Sequence, residues 1–173
     1  MNLRELVESV PDPELPFLTI GDLGMVRAVT LPATRSTTPS VELVSSAGSQ
    51  SAVRVVLTPT FIGCPATEAI ADDVRSALAD AGYGDAEVIL VLSPPWSSDW
   101  ITPEGRAKLE SAGIAAPACI AGSSFEVAIA APVRCPQCQS LRTRRRSEFG
   151  STPCKMVYVC VACAEPFEAV KPI

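Results

Sequence analysis

Four cysteines near the C-terminus constrain this 173-residue chain more than any other feature. They come as two pairs, Cys135-Pro136-Gln137-Cys138 and Cys160-Val161-Ala162-Cys163. A C-x-x-C loop curls so that both sulfurs face one point, and two such loops offer four soft ligands. Four thiolates in a tetrahedron suit Zn(II), a closed-shell ion with no geometric preference to oppose them. The 21 residues between the pairs hold a strand, a turn and a returning strand, one residue beyond the usual spacing for such sites. Two disulfides fit worse. The seven cysteines are an odd number, and the opening residues do not read as a signal peptide. The expectation is a structural zinc held by Cys135, Cys138, Cys160 and Cys163. Four protein ligands leave no open position for chemistry. Iron also accepts four thiolates, so the choice between Zn and Fe stays open.

The chain contains no histidine. That excludes Ser-His-Asp and Cys-His catalysis and Cys2His2 fingers. A metal must be held by Cys, Asp or Glu, and proton transfer near neutral pH falls to the same groups. No apolar run reaches the ~20 residues a membrane-spanning helix needs, and the expected location is the cytoplasm, where thiols stay reduced. Charge is uneven. From Val133 onward, seven Lys/Arg face three Asp/Glu, a net of +4; the remainder carries seven against sixteen, a net of −9.

The body reads as a small α+β domain with one helix-covered sheet, in the order α-β-β-α-β-α, over residues 1–115. A connector at 116–132 and the zinc ribbon at 133–173 follow. Leu3, Leu6, Val7 and Val10 have helical spacing, and Pro11 ends that helix. Asp12-Pro13-Glu14-Leu15-Pro16 is a rigid loop that fixes two carboxylates, Asp12 and Glu14. Val26 to Leu31 and Val53 to Leu57 read as strands joined by a long Ser/Thr/Pro-rich loop at 33–52. Ile70, Val74, Ala77, Leu78 and Ala81 mark a helix face, Val88 to Leu92 a buried strand, and Thr102-Pro103-Glu104 a helix start. Ser93 to Ile101 holds both tryptophans, as a lid over the core or as a partner surface. Residues 125–130 form a candidate strand in the connector that also holds Cys119.

Cys64 precedes Pro65, which suits a first helical position. That places the thiol at or next to the N-cap, where free N–H groups and the helix dipole favour a thiolate. The other reading is a small core cysteine. In the tail, Leu141 to Phe149 and Met156 to Cys160 read as ribbon strands, with Arg142, Arg144 and Arg146 on one face. Cys154 is a fifth cysteine there, either spare or a ligand; two complete C-x-x-C pairs favour spare.

Together, Asp12-Pro13-Glu14-Leu15-Pro16, Asp22-Leu23-Gly24-Met25-Val26 and Thr60-Phe61-Ile62-Gly63-Cys64-Pro65 resemble the SufT-like iron–sulfur assembly family. Trp96-Ser97-Ser98-Asp99-Trp100, the four-Cys ribbon, Phe149-Gly150-Ser151-Thr152 and Glu165-Pro166-Phe167 make the chain similar to its PaaD-type members, encoded with the bacterial phenylacetyl-CoA epoxidase. The resemblance implies an accessory factor, not itself catalytic, in aerobic phenylacetate degradation. Its partners would be the epoxidase subunits, above all the iron–sulfur flavin reductase. It implies that Cys64 is the functional thiol, marked by Asp12 and Glu14, and that iron or an iron–sulfur cluster is handled transiently. One cysteine does not store a cluster, which needs about four cysteine ligands; a homodimer sharing two Cys64 thiolates, or a partner, would complete the set.

Two further readings compete. A ribbon that binds protein or nucleic acid without metal transfer draws on Arg142 to Arg146, but an acidic body repels phosphate and no aromatics interleave the arginines. A thiol enzyme built on Cys64 would have to use Asp12 or Glu14 as its base, an unusual pairing.

Overall fold

The computed structural model describes residues 2–31, 52–117 and 133–172. The 33–52 loop apart from Ala52, most of the connector, the candidate strand at 125–130 and Cys119 lie outside the described residues.

Helix α1 (Leu3–Glu8) starts from a reciprocal cap: the Asn2 side chain accepts from the Glu5 N–H at 2.8 Å, and Glu5 accepts from the Asn2 N–H at 2.8 Å. So short a helix survives by packing rather than propensity, and Val7 and Val10 are buried in the core. Strand β1 (Val26–Thr30) pairs antiparallel with β2 (Arg54–Leu57), which pairs in parallel with β3 (Glu87–Leu90). Helix α2 (Ala66–Asp80) makes the crossover between β2 and β3. Its stripe of Ile70, Val74 and Leu78 is buried, and Val55 and Leu57 of the central strand are fully buried. Strand β3 is half-exposed rather than buried as the apolar run suggested. Among the described residues it pairs with β2 alone, at the edge of the sheet, and it ends at Leu90.

Helix α3 (Pro103–Ser111) is capped by Thr102, whose hydroxyl accepts from the Gly105 N–H at 3.0 Å. It leads through Gly113 to a two-residue strand, β4 (Ile114–Ala115). The predicted α-β-β-α-β-α order of the body is present, and β4 then leaves it. It pairs in parallel with β7 (Pro166–Val170) in the second sheet, whose order is β4-β7-β6-β5, with β5 at Thr143–Ser147 and β6 at Lys155–Cys160. Strand β7 has no counterpart in the sequence-based expectation. A bulge between Arg145 and Ser147 shifts the pairing of β5 with β6, yet Arg144 and Arg146 still share a face.

The two sheets share a core. Ile114 and Val170 belong to the main apolar cluster with Leu57, Ile70 and Trp96, whereas Tyr158, Phe167, Met156, Cys135 and Cys160 form a second, smaller one. The ribbon is therefore packed onto the body rather than merely tethered to it.

The turn at Asp22 to Gly24 organises the body. The Leu23 carbonyl accepts from the Trp96 indole N–H at 2.8 Å, and the Asp22 carbonyl from the Thr102 N–H at 2.9 Å. The Lys108 ammonium donates to the Asp22 carboxylate. Two glycines permit this closeness. A Cβ on Gly24, whose φ is +65°, would run into the Trp100 carbonyl, and one on Gly105 would come within 2.7 Å of the Asp22 carbonyl oxygen. Trp96 is thus a core lid, only 4% exposed, while Arg27 stacks 3.7 Å over the Trp100 ring.

Candidate functional site

The two C-x-x-C loops fold into matching knuckles. In the first, the Cys135 N–H donates to the Ser140 carbonyl at 3.0 Å; in the second, the Cys160 N–H donates to the Glu165 carbonyl at 2.9 Å. Each loop closes with a left-handed residue, Gln139 at φ 61° and Ala164 at φ 62°. The four sulfurs of Cys135, Cys138, Cys160 and Cys163 all lie within 4.8 Å of one another. The Cys135–Cys163 and Cys138–Cys160 pairs are 3.8 and 3.5 Å apart. Tetrahedral Zn–S bonds of ~2.3 Å set sulfurs about 3.8 Å apart, so the spacing fits a metal at the centre. The Cys160 thiol is drawn down to about 6 by the N–H of Cys163, against the effect of burial and helped by the N–H of Ala162. These N–H groups are the kind of donors that hold a thiolate ligand in place.

The second site surrounds Cys64. The segment from Thr58 to Pro65 leaves β2 and turns through Gly63, whose φ is +80°. The Cys64 N–H donates to the Phe61 carbonyl at 3.2 Å, and its own carbonyl accepts from the Thr67 N–H at 3.1 Å. Pro65 stands at the N-cap of α2, with no side-chain cap bond, rather than at the first helical position, so Cys64 sits one residue before the cap, half-buried. The structure does not deliver the ready thiolate that this position suggests. Burial pushes the Cys64 thiol up, and Glu14, Cys154 and Asp12 add to the rise; the Ala66 N–H pulls the other way and loses. The free thiol is protonated at neutral pH, and a metal ion that binds it must displace the proton.

The structure brings Asp12 and Glu14 to the same cavity as Cys64. Their parts differ. Asp12 is 7% exposed, and its Oδ1 accepts the N–H groups of Glu14 at 2.8 Å and Leu15 at 2.9 Å. It braces the proline-bounded loop from within, as an Asx turn does, and so aims Glu14. Leu15, Leu23, Trp96 and Val170 form the apolar walls.

Cys154 also lines this cavity, although it lies 90 positions away in sequence from Cys64. It is not among the four ribbon sulfurs. Burial pushes its thiol up, with Glu14 adding to the effect. No local signal announces this placement; the one hint in sequence is a fifth cysteine the ribbon does not need. A wider, mainly apolar hollow of about 480 Å³ opens alongside, between Phe61, Ile62, Leu92 and Pro95 of the body and Arg145 and Met156 of the ribbon. Ile62 and Leu92 are exposed there.

Of the arginine run, Arg144 and Arg146 line one shallow hollow beside Val157 and Val159, and Arg145 pairs with Glu148 at 3.3 Å. Among the described residues no helix is long and apolar enough to cross a membrane.

Comparison with known proteins agrees with this two-part architecture. Residues 2–90 match the family described as "Iron-sulfur cluster assembly protein", and residues 121–171 the "PaaD zinc beta ribbon domain". The chain is 42% identical over 166 residues to a putative 1,2-phenylacetyl-CoA epoxidase subunit of Escherichia coli (strain K12), covering 96% of this chain and 88% of that one. It is 33% identical over 99 residues to the Fe-S protein maturation auxiliary factor YitW of Bacillus subtilis (strain 168), covering 57% of this chain and 80% of that one. A crystal structure of a domain of unknown function, DUF59, from Bacillus anthracis covers 62% of this chain and 87% of its own at 28% identity, with a TM-score of 0.48.

Proposed function

The chain belongs to the iron–sulfur cluster assembly protein family, in the branch that carries a PaaD zinc β-ribbon, and from that premise we propose that it is an accessory maturation factor for a phenylacetyl-CoA epoxidase, handling iron or an iron–sulfur cluster as cargo through Cys64. The likeness to an epoxidase subunit runs through nearly the whole chain. The likeness to Fe–S maturation factors covers a little over half of it. The recipient that suits this cargo is the iron–sulfur flavin reductase of the epoxidase system, as the resemblance implies.

One observation carries the reading. A half-buried thiol stands beside a helix start in a cavity with two carboxylates, and next to it lies an open apolar hollow. Binding of a thiophilic cation breaks the Cys64 S–H bond as the S–metal bond forms, and the proton passes to solvent. Release to a recipient reverses the step. The protonated resting thiol keeps the hold weak, which suits a carrier better than a store.

The four-cysteine ribbon plays a different part. Its sulfurs fit a zinc ion whose coordination the protein completes, so the zinc's role is to hold β5, β6 and β7 together. The test is an epoxidase assay in cells supplied with wild type or Cys64→Ser, together with iron and sulfide analysis of each protein purified without oxygen. Loss of activity and of bound iron in the variant is expected. Unchanged epoxidase activity with Cys64→Ser would sink the proposal.

A further inference from the structure

We propose that Cys154 is the second thiolate of the Cys64 site, so that the ribbon completes the cargo site: Cys64 from the body, Cys154 from the ribbon and the Glu14 carboxylate together take one divalent thiophilic cation, Fe(II) being the natural cargo. The inference rests on the reading of Cys64 as the cargo thiol and adds to it where the second ligand comes from.

Both thiols face one cavity and neither is in a disulfide. Neither belongs to the four-sulfur cluster of the ribbon, which is the one preassembled group of three or more metal-holding donors among the described residues, so Cys64, Cys154 and Glu14 have to draw together as the ion binds. Glu14 lines the same cavity as both sulfurs. With both thiols ionised, Asp12, Glu14, Cys64 and Cys154 would put four negative groups around the cavity. Among the described residues, the cation lining it is Lys171, whose ammonium lies 4.4 Å from the Phe149 ring and 5.4 Å from the Phe61 ring. A divalent ion relieves that imbalance.

Cys154 is held there by a dedicated bracket. Buried Lys155 pairs with Glu168 at 2.8 Å. Glu168 in turn accepts from the Ser151 N–H and, at 3.1 Å, from its hydroxyl, which fixes the turn before Cys154. The Cys154 carbonyl accepts from the Lys171 N–H at 2.9 Å, and the Cys154 sulfur lies 3.1 Å from the Thr152 hydroxyl. A Cβ on Gly150 would come within 2.6 Å of the Glu168 carboxylate and push it aside.

Size narrows the occupant. The cavity holds about 20 Å³, room for one atom-sized guest, since a single water needs roughly 10–15 Å³ by the same measure. A lone ion fits the space around which the three donors would close. Two sulfurs and a carboxylate leave a coordination position for a ligand from the recipient. Binding breaks two S–H bonds and forms two S–Fe bonds; iron stays ferrous and two protons leave, so no oxidant is needed.

Co(II) titration of the reduced, zinc-loaded full chain tests this without oxygen. Zinc binds such sites more tightly than cobalt, so the ribbon keeps its metal while Co(II) reports the second site by thiolate-to-metal charge transfer. Wild type is expected to show the band intensity of two thiolates per cobalt. Cys64→Ser and Cys154→Ser should each leave about half that intensity and weaken binding roughly ten-fold or more. Cys154→Asp should restore affinity with a band shifted towards oxygen ligation, which a merely structural residue would not do. Zinc content and near-ultraviolet circular dichroism report that each variant is folded. One-thiolate intensity in wild type, or full intensity in Cys154→Ser with loss in Cys64→Ser, would overturn the inference and leave the Cys64 reading standing. No cobalt beyond the ribbon's zinc, or equal binding in all variants, would overturn both.

Discussion

The molecule holds two cysteine sites built on opposite plans. In the ribbon, four sulfurs arrive from two short knuckles, each closed by its own hydrogen bonds. Around Cys64, the polar groups come from the loop after α1, the start of α2 and the turn before β6. The first site is made locally and fills a coordination sphere. The second is made by tertiary packing. On the proposed reading, the first arrangement keeps its metal and the second exchanges its cargo.

The sharpest way to break this contrast is to remove a ribbon ligand. Cys138→Ser is expected to release the metal and unfold β5 to β7, because the ribbon's own apolar cluster is too small to stand alone. Since Ile114 and Val170 belong to the main core, the body should also melt several degrees earlier. Hydrogen exchange resolves the two parts; an unchanged body melting temperature would show them to be independent after all.

Gly24→Ala should next spare the metal and damage the body, at a cost of about 2–4 kcal/mol from the positive φ and the clash with Trp100. Urea unfolding followed by tryptophan fluorescence would measure it, with zinc content as the control. Glu168→Gln should cost less, about 1–2 kcal/mol, because Glu168 is partly exposed although its partner Lys155 is buried. It should loosen Cys154, seen as faster alkylation of that thiol, while the ribbon metal stays bound.

The smallest effect is expected in acid. Burial would raise the Asp22 carboxyl, but the Lys108 ammonium and the Thr19 N–H hold it below the ordinary aspartate value of about 3.9. A depressed folded pKa adds stability above the unfolded value and loses it as pH falls through the folded one. Stability should therefore drop below about pH 4, and Asp22→Asn should flatten that slope while lowering stability at pH 7 by about 1 kcal/mol or less, Lys108 being half-exposed. An unaltered slope would show that other carboxylates govern the acid limb.

How far the molecule is legible from its sequence follows the same division. Helix α2 reads from its Ile70, Val74 and Leu78 stripe because helical spacing is a local property. The ribbon ligands read from spacing for the same reason. Strand β7 does not read: it opens on Pro166, which sits poorly in strand patterns, and its value lies in pairing with β4 and β6. Asp12 reads in sequence as a candidate site carboxylate, and its bracing bonds to the loop become visible only once the chain is folded back on itself.

By itself, the sequence determined the helix and strand periods, the four-sulfur metal site, the absence of histidine chemistry and the family. Each rests on residue identity or on neighbours a few positions apart. Tertiary structure alone decided that Cys64 is a half-buried thiol whose pKa burial raises, that the ribbon shares the body's core, and that Cys154 lies in the Cys64 cavity. Those outcomes depend on burial and on charges brought together across ~90 residues, and no local pattern encodes a contact that only the closing of the core creates.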